Sequence, residues 1–379
     1  MKRVLLFYPP NKRSVAIETL CKAVHESGNE LMILTLTPKG PFHEMLEGNG
    51  VKTFSIPQTH NRSWKYLRFF KQSRFLIRFC RQHNIDTVWS HLQEANIITI
   101  MAQRSLKAKV VLFRHHAESA FYAEFGKKMN LKRSRGEVIL DKIINRFGKI
   151  IVVPSSGVWY GMEKYERCKM NKVKLIPYIY DFSTYQKPDA GKLRSLKDKY
   201  PCSLMLIMVS RMVASKQHGL VFEIVNKLVK EGLSIKMIVM DDGPLRPELE
   251  KFIAENNLGD HIIMTGFQDD FVNYMAAADL LIHPSVTEAS NNVVKELALL
   301  EKAVAVCRHV GDFSDYIEDD RNGYFLERND LEKTIETVIR DGYANPDKLK
   351  RFGAELKKDV LREFSDSTAN RQRFLDLLN

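Results

Sequence analysis

Two cationic side chains, Arg211 and Lys216, stand five residues apart, directly after the apolar run Leu204–Val209 and before a helical pattern. A helix N-terminus offers free N–H groups and a partial positive charge to an anion. An arginine can hold a phosphate through two parallel hydrogen bonds, while a lysine acts as a point charge. The spacing therefore predicts a diphosphate site, although two cations in a solvated loop would give the same pattern.

Two glutamates, Glu288 and Glu296, are separated by seven residues. Either Ser290 or Asn291 could cap the helix that contains Glu296, and Glu288 precedes that cap. Carboxylates that point into one cleft can accept hydrogen bonds from the hydroxyl groups of a sugar or a ribose. Two solvated glutamates that flank a helix cap are the simpler alternative.

Gly243 stands before Pro244 in a predicted turn between a strand and a helix. Because proline favours the first position of a helix, this turn is mainly a structural signal. The neighbouring pair Asp241-Asp242 does not form a convincing metal-binding motif. The five cysteines are scattered and form no CxxC pair, so we expect no zinc site.

Short apolar runs alternate with helical patterns along the whole chain, which indicates βαβ units and parallel sheets. The alternation restarts at residue 204, after a stretch over 181–202 without a long apolar run. We therefore predict an α/β protein with an N-terminal domain over 1–182, onto which helix 365–379 packs back, and a C-terminal domain over 183–364. Two such doubly wound, Rossmann-like domains would face one another across a deep cleft at the carboxyl ends of their strands, the usual ligand site.

The composition is that of an ordinary soluble protein, with 379 residues, 44% of them hydrophobic and 27% charged. No apolar stretch approaches the ~20 residues of a membrane-spanning helix. An odd number of unpaired thiols fits a reducing compartment, so we expect a cytoplasmic protein. The net charge of +12 leaves nucleic acid, an anionic membrane surface and an anionic substrate open as partners.

Several of these motifs occur together in one family. The segment Glu288-Ala-Ser-Asn-Asn-Val-Val-Lys-Glu296 resembles the Glu-x7-Glu signature of the retaining family-4 glycosyltransferases of the GT-B fold, of which one variant reads Glu-Gly-Ser-Pro-Asn-Val-Ile-Lys-Glu. The family also has an arginine followed about five residues later by a lysine, as at Arg211 and Lys216. The segments 264–267, 278–285 and 310–313 look like family segments as well. The resemblance is strongest over residues 204–326.

The resemblance implies a role for each motif. Arg211 and Lys216 would hold the diphosphate of the donor and stabilise its charge as the glycosidic bond breaks, while Glu288 would bind hydroxyls of the transferred sugar. Glu296 would bind the ribose. The other donor contacts implied are Gly243, Phe267, Ser290, Asn291, Asn292 and Val293. The family needs neither a metal nor a cofactor beyond the nucleotide diphosphate sugar.

A histidine at the end of the strand Val110–Phe113 often reaches the transferred sugar in similar enzymes. His115 and His116 occupy this position, and we favour a site role for at least one of them, with His116 slightly ahead. A single histidine at such a place would more often be a structural residue.

The resemblance favours a retaining, metal-independent transferase that moves a sugar to a glycan or lipid-linked acceptor, as in the synthesis of surface polysaccharides. A nucleotide-sugar epimerase or a phosphorylase on the same fold is an alternative. A non-catalytic basic protein that binds nucleic acid is another, but the sequence has no RRM, KH, helix-turn-helix or zinc motif, so no nucleic acid is expected.

The span 48–85 contains no acidic residue and includes a predicted helix over 63–83. Cations recur there every three or four residues, at Lys65, Arg68, Lys71, Arg74, Arg78 and Arg81. A second basic cluster follows at Lys127, Lys128, Lys132, Arg133 and Arg135. These cations predict peripheral docking to the inner face of the cytoplasmic membrane, because each one near an anionic surface contributes about 1 kcal/mol. An ordinary solvated helix face is the alternative.

Overall fold

A computed structural model describes residues 1–57, 65–117, 119, 122–123 and 134–379. The chain divides into two compact units. The N-terminal unit consists of Met1–Ser183 together with Phe364–Asn379, and the C-terminal unit is Thr184–Glu363. Each unit has its own parallel β-sheet.

The N-terminal sheet has seven parallel strands in the order β3-β2-β1-β4-β5-β6-β7. Its strands are β1 (Arg3–Phe7), β2 (Glu30–Thr35), β3 (Lys52–Ser55), β4 (Thr87–His91), β5 (Lys109–Phe113), β6 (Ile151–Val153) and β7 (Val173–Leu175). The helices described between them are α1 (Val15–Glu26), α2 (Pro41–Gly48), α3 (Lys65–Gln82), α4 (Leu92–Ala102), α5 (Arg135–Phe147) and α6 (Ser156–Lys164).

Helices cover both faces of this sheet, so its strands are apolar on both sides. Val4 and Leu6 of β1 point into one core, which is completed by α1 and α2. Leu5 and Phe7 point into the other core, with residues of α3, α4 and α5. Successive side chains of a strand alternate between faces, which explains why β1 reads as a continuous apolar run.

The C-terminal sheet has six parallel strands in the order β10-β9-β8-β11-β12-β13. Its strands are β8 (Leu204–Val209), β9 (Ile235–Met240), β10 (Ile262–Gly266), β11 (Leu280–His283), β12 (Ala303–Cys307) and β13 (Tyr324–Leu326). The helices are α7 (Ala190–Lys199), α8 (His218–Lys230), α9 (Arg246–Glu255), α10 (Phe271–Ala277), α11 (Asn292–Leu299), α12 (Phe313–Tyr316), α13 (Leu331–Ala344) and α14 (Pro346–Phe364).

The last helix, α15 (Thr368–Leu375), belongs to the N-terminal unit. The hydroxyl of Ser367 caps it by accepting a hydrogen bond from the Asn370 N–H at 3.2 Å. Phe374 of α15 and the following Leu377 lie in the same core as α1 and α2. The end of the chain therefore supplies part of the hydrophobic core of the N-terminal unit.

The predicted basic helix has different bounds in the structure. The helix expected over 63–83 is described from Lys65 and ends at Gln82, because Asn84 adopts a left-handed conformation with φ of 50°. Helix α4 ends at Ala102, and a 3-10 turn over Gln103–Ser105 follows it. Residues 63 and 64 and the four lysines and arginines of the second basic cluster that precede Arg135 lie outside the described residues.

Candidate active site

The candidate site of the C-terminal unit lies where the strand order reverses. Strand β8 has β9 on one side and β11 on the other, so the loops that leave β8 and β11 diverge to opposite faces of the sheet. Such a switch point leaves a crevice at the carboxyl ends of the strands. Arg211 and Lys216 follow β8, and Glu288 follows β11.

The loop that carries Arg211 is fixed by the loop after β9. The Met212 N–H donates to the Asp242 carbonyl at 2.9 Å, and the Leu245 N–H donates to the Met212 carbonyl at 3.2 Å. A Cβ on Gly243 would lie 2.5 Å from the Met212 carbonyl oxygen, so only glycine fits at this contact. The Arg211 side chain itself is exposed, and it makes no hydrogen bond or ion pair with the described part of the chain.

Lys216 ends the 3-10 turn Ala214–Lys216 after β8, and the next residue, Gln217, has φ of 60°. The Lys216 ammonium donates to the Ser285 hydroxyl at 3.0 Å and to the Glu288 carboxylate. The structure therefore brings together one predicted phosphate ligand and one predicted sugar ligand, which come from neighbouring strands.

The Glu288 carboxylate is held from a second side by a histidine. His283, the last residue of β11, contacts Glu288 Oε1 through Nε2 at 2.8 Å. Burial raises the pKa of Glu288, but the hydrogen bond and charge of His283 and the charge of Lys216 outweigh it and lower the pKa to about 2. Glu288 is thus a carboxylate over the whole physiological pH range.

Three residues of this cluster were not predicted as site residues: His283, Ser285 and His218. His218 is buried at the start of α8, and burial, together with the charges of His283 and Lys216, lowers its pKa to about 4. His283 and Ser285 lie inside the segment 278–285, and His218 stands two residues after Lys216. The signal that could have found them is a polar residue at a strand end or helix start where the neighbours are apolar.

The residues predicted to contact the donor around Ser290 lie at the start of α11. The Asn291 side chain caps α11 by accepting from the Val294 N–H at 3.0 Å. Asn292 is exposed and Val293 is half-buried in the first turn. The Ser290 hydroxyl donates to Asp312, which follows β12, at 2.6 Å.

Glu296 lies in α11, half-buried, one position after Lys295. Burial raises the pKa of Glu296 to about 7, against the opposing effect of the Lys295 charge. Glu296 in turn adds to the raised pKa of Tyr185, which is caused mainly by burial, so these two side chains are close. The carboxyl makes no hydrogen bond or ion pair with the residues that the structure describes.

Phe267 follows β10 and is 80% exposed. The structure describes no hydrogen bond or ring contact that joins it to the Lys216–Glu288 pair. Its predicted role in donor binding stays a prediction.

The two histidines belong to the N-terminal unit and differ in their surroundings. His115 contacts the Tyr178 hydroxyl through Nδ1 and His91 Nδ1 through Nε2, the latter at 3.1 Å. Burial and the nearby charge of His116 lower the pKa of His115 to about 3, so its ring is neutral. His116 is exposed, and its carbonyl accepts from Arg114 at 3.0 Å.

The loop after β5 is anchored by a buried ion pair. The Arg114 guanidinium contacts Glu166 at 2.6 Å and Asp141 at 3.2 Å, and all three side chains are at most 6% exposed. The Arg114 guanidinium is planar and is bound by both carboxylates. It therefore fixes the backbone that carries His116.

A cationic groove lies along α3 in the N-terminal unit. It has a volume of about 1020 Å³ and is also lined by the residues that directly follow β2 and β3. Its charged lining residues are Arg68, Lys71, Arg74, Arg78, Arg81 and Glu94. Only Arg68 is ion-paired among these described cations, to Glu94 at 2.7 Å.

Of the helices that the structure describes, none has both the length and the apolar composition needed to cross a bilayer. Among the same described residues, no three histidine, cysteine, aspartate or glutamate side chains converge as metal ligands would. The expectation that the reaction needs no metal stays a prediction.

Comparison with known families assigns both units. The model described as "Glycosyltransferase Family 4" matches residues 14–182, and the model "Glycosyl transferases group 1" matches residues 193–359. The chain therefore belongs to the family-4 glycosyltransferases, and its two parallel Rossmann-like sheets are those of the GT-B fold. The predicted family and fold class are confirmed.

Characterised relatives resemble most of the chain. The N-acetylgalactosamine-N,N'-diacetylbacillosaminyl-diphospho-undecaprenol 4-alpha-N-acetylgalactosaminyltransferase of Campylobacter jejuni is 23% identical, over 89% of this chain and 92% of its own. The alpha-monoglucosyldiacylglycerol synthase of Acholeplasma laidlawii is 22% identical, over 83% and 81%. The crystal structure of Anabaena HepE in complex with UDP matches with a TM-score of 0.79 at 16% identity, covering 100% of this chain and 99% of that one.

Proposed function

We propose that the enzyme transfers a sugar from a nucleotide diphosphate sugar with retention of the anomeric configuration. The observation that carries this proposal is the contact between Lys216 and Glu288 at the switch point of the C-terminal sheet. A cation for the diphosphate and a carboxylate for the sugar hydroxyls then stand side by side, as the two halves of a nucleotide sugar require. Arg211, exposed and without a partner among the described residues, supplies the second cation.

We assign nucleotide binding to Glu296 and to the first turn of α11. Glu296 has no hydrogen-bond partner in the described part of the chain, so its carboxyl is available to ribose hydroxyls. The first N–H groups of α11, from Asn292 and Val293, add partial positive charge toward an anion. Gly243 acts indirectly, because it lets the loop after β9 hold the loop of Arg211.

The transfer step places negative charge on the departing diphosphate. Lys216 and Arg211 oppose that growing charge, which is the role that a divalent metal has in other sugar transferases. We therefore propose a metal-independent reaction that uses no cofactor besides the donor. Activity that survives EDTA agrees with this proposal, and loss of activity that a divalent ion restores contradicts it.

The acceptor is proposed to be a glycan or a lipid-linked saccharide used in the synthesis of surface polysaccharides. The names of the relatives support this, since one acts on a diphospho-undecaprenol-linked saccharide and another makes a glucosyldiacylglycerol. We assign acceptor binding to the N-terminal unit and donor binding to the C-terminal unit. His116 is the histidine that we propose to reach the transferred sugar, while His115 is held by Tyr178 and His91.

We further propose that the enzyme works on the cytoplasmic face of a membrane, bound peripherally through α3. The cations from Arg68 to Arg81 extend over about 20 Å at 1.5 Å per residue. Leu67 and Phe70 of the same helix are 56% and 51% exposed, so apolar side chains stand among the cations. This combination suits the interface of an anionic bilayer.

Three measurements test these proposals. A thermal-shift screen of nucleotide sugars identifies the donor, because a ligand that binds the folded state raises its apparent stability. NMR of the product gives its anomeric configuration, and inversion would contradict retention. Sugar transfer that requires an added acceptor separates the transferase from an epimerase, whose product forms without one.

Membrane binding is tested by flotation with anionic liposomes. Wild-type protein should float at low salt and less at high salt, since salt screens exposed charges. Lys71→Glu combined with Arg78→Glu should abolish flotation. Arg104→Glu combined with Lys107→Glu, at exposed cations before β5, is the matched control and should float like the wild type. Equal flotation of both double variants would exclude α3 as the docking surface.

A further inference from the structure

Lys295 carries a charge in the apolar face of α11. Its side chain is 0% exposed, and its helix neighbours Val294, Leu297 and Ala298 are buried apolar residues. A lysine is almost never fully buried unless its ammonium is paired. The contacts of this ammonium therefore decide what the residue does.

The ammonium uses three close acceptors. It lies 2.6 Å from Asp312 Oδ2, 3.0 Å from the Ser290 hydroxyl and 3.1 Å from the Asn291 carbonyl. Asp312 is also 0% exposed, and its Oδ2 accepts from Ser290 as well. Because an ammonium has three donors, these distances specify its position completely.

Stability does not explain why a buried ion pair stands here. Burying both charges costs desolvation, and such pairs can often be replaced by packed apolar residues without loss of stability. Asp312 Oδ1 has no hydrogen-bond partner among the described residues, so the carboxylate is only partly satisfied. What the pair does supply is a fixed geometry between the loop after β11 and the loop after β12.

Both loops touch Glu288. Ser290 and Asn291, which bind Lys295, follow Glu288 by two and three residues. Gly311, next to Asp312, has φ of 56°, and a Cβ there would lie 2.9 Å from the Glu288 Cβ. A displacement of either loop would therefore move the Glu288 carboxylate.

We infer that Lys295 and Asp312 are positioning residues of the donor site, which hold the backbone on both sides of Glu288 in the geometry that sugar transfer requires. This inference rests on the proposed function, because it takes Glu288 as the ligand of the transferred sugar. Lys295 does not touch the donor. It acts through Ser290, Asn291 and Asp312.

The test separates an effect on the geometry of the donor site from an effect on the stability of the fold. Lys295→Met alone should lower Tm and activity together, because it leaves Asp312 buried and unpaired. Lys295→Met combined with Asp312→Leu removes both charges and should restore Tm to near the wild-type value. We expect kcat of this double variant to stay at least tenfold below wild type, while its affinity for free nucleoside diphosphate changes less than threefold.

A purely structural role predicts the opposite pattern: a double variant that regains Tm would also regain kcat, and this result would overturn the inference. Asp312→Asn, which keeps the shape and an oxygen acceptor, provides a second variant should the double variant fail to fold. It should fold and lose kcat severalfold, and wild-type kcat in folded Asp312→Asn would overturn the inference equally. The proposed function is judged apart from this, by whether the wild-type enzyme binds and uses a nucleotide sugar.

The matched control is Arg321→Met. Arg321 pairs with Asp359 at 2.5 Å in the turn before β13, at the opposite end of the strands. Breaking this pair should lower Tm and leave kcat per folded molecule unchanged. A loss of kcat as large as in the Lys295 and Asp312 double variant would overturn the inference, because it would show that any broken ion pair of the unit suffices.

Discussion

The Lys216 ammonium and the Glu288 carboxylate, 72 positions apart in the chain, form an ion pair that is further held by His283 and Ser285. Both partners are at most 16% exposed on their side chains. The pair joins the residue proposed to bind diphosphate to the residue proposed to bind the sugar. A bound donor must therefore share or replace this contact, and His283 remains as a second hydrogen-bond partner for Glu288.

Lys216→Met should lower kcat by roughly a hundredfold, the scale on which loss of a preorganised charge-stabilising group acts. Tm should fall as well, because the buried Glu288 carboxylate loses its lysine partner and keeps only the hydrogen bond with His283. Steady-state kinetics with the donor identified by thermal shift measure the first effect. Lys227→Met, which breaks an exposed pair with Glu336, is the control and should keep full activity. Wild-type kcat in Lys216→Met would contradict the assignment of Lys216 to the donor diphosphate.

Glu288 and Glu296 should respond differently to truncation. Glu288→Ala is expected to reduce transfer while leaving the affinity for free nucleoside diphosphate within a fewfold of wild type. Glu296→Ala should weaken that affinity, since the residue is assigned to ribose. Calorimetric titration with the nucleoside diphosphate measures both variants. An equal loss of affinity in the two would contradict the division of roles.

Binding of the nucleotide should depend on pH near neutrality. The pKa of Glu296 is raised by burial to about 7, so the carboxyl is neutral below that pH and charged above it. A carboxylate accepts hydrogen bonds from ribose hydroxyls more strongly than a neutral acid, so affinity should increase as the pH rises from 6 to 8. Titrations at several pH values test this. In Glu296→Gln the dependence should become shallower, leaving the part that comes from ionisation of the diphosphate itself, and an unchanged slope would assign it to another group.

The same group makes stability depend on pH. Because the folded-state pKa of Glu296 lies above its ordinary value of 4.5, the folded state binds the proton more tightly than the unfolded chain. The stabilisation from this group is complete below pH 4.5 and is lost as the pH rises through about 7. Glu296→Gln should therefore raise Tm relative to wild type at pH 8 and not at pH 4. Exposed Glu248→Gln should show no such crossover.

Gly243→Ala should damage the site without touching a ligand. The new Cβ would overlap the Met212 carbonyl, so the loops after β8 and β9 must separate and Arg211 must move. Both Tm and kcat should fall. Gly219→Ala is the matched control, because a Cβ there meets no atom within 4 Å and alanine favours its helix by about 1 kcal/mol. An active, fully stable Gly243→Ala enzyme would contradict the close approach of the two loops.

The two histidines should separate into a structural and a functional residue. His115→Ala should lower Tm by a few degrees, since each lost hydrogen bond costs about 1 kcal/mol. His116→Ala should lower Tm less than His115→Ala does and reduce kcat about tenfold, which corresponds to roughly one hydrogen bond. Thermal melts and kinetics of both variants decide this. The reverse pattern would make His115 the site residue.

The family and the two parallel sheets could be predicted because they depend on local patterns. Apolar runs such as 204–209 identify buried strands, and the Glu-x7-Glu spacing identifies the donor loop. The neighbours of Glu288 could not be predicted this way. Lys216 reaches it only because β8 and β11 are adjacent in the sheet, and strand order is not written in any local pattern. His283 reaches it because the loop after β11 folds back onto the end of its own strand.

Lys295 shows a different limit of prediction from the sequence. Helix periodicity puts it on the same face of α11 as the buried Ala298, three residues later, so a buried lysine could have been suspected. Its partner Asp312 lies beyond β12, in a loop whose position depends on the whole sheet. A sequence pattern can therefore indicate a buried charge, but only the fold shows which residue neutralises it.

The return of the chain end to the N-terminal unit has a consequence for the order in which the molecule folds during synthesis. Residues 184–363 leave the ribosome before Phe374 and Leu377, which fill the core beside α1 and α2. The ribosome therefore completes the C-terminal unit before the N-terminal unit, although synthesis of the N-terminal unit begins first. Until the last sixteen residues emerge, the N-terminal unit has an open apolar surface where α15 will pack. Nascent chains should acquire protease resistance in the same order, the C-terminal unit first.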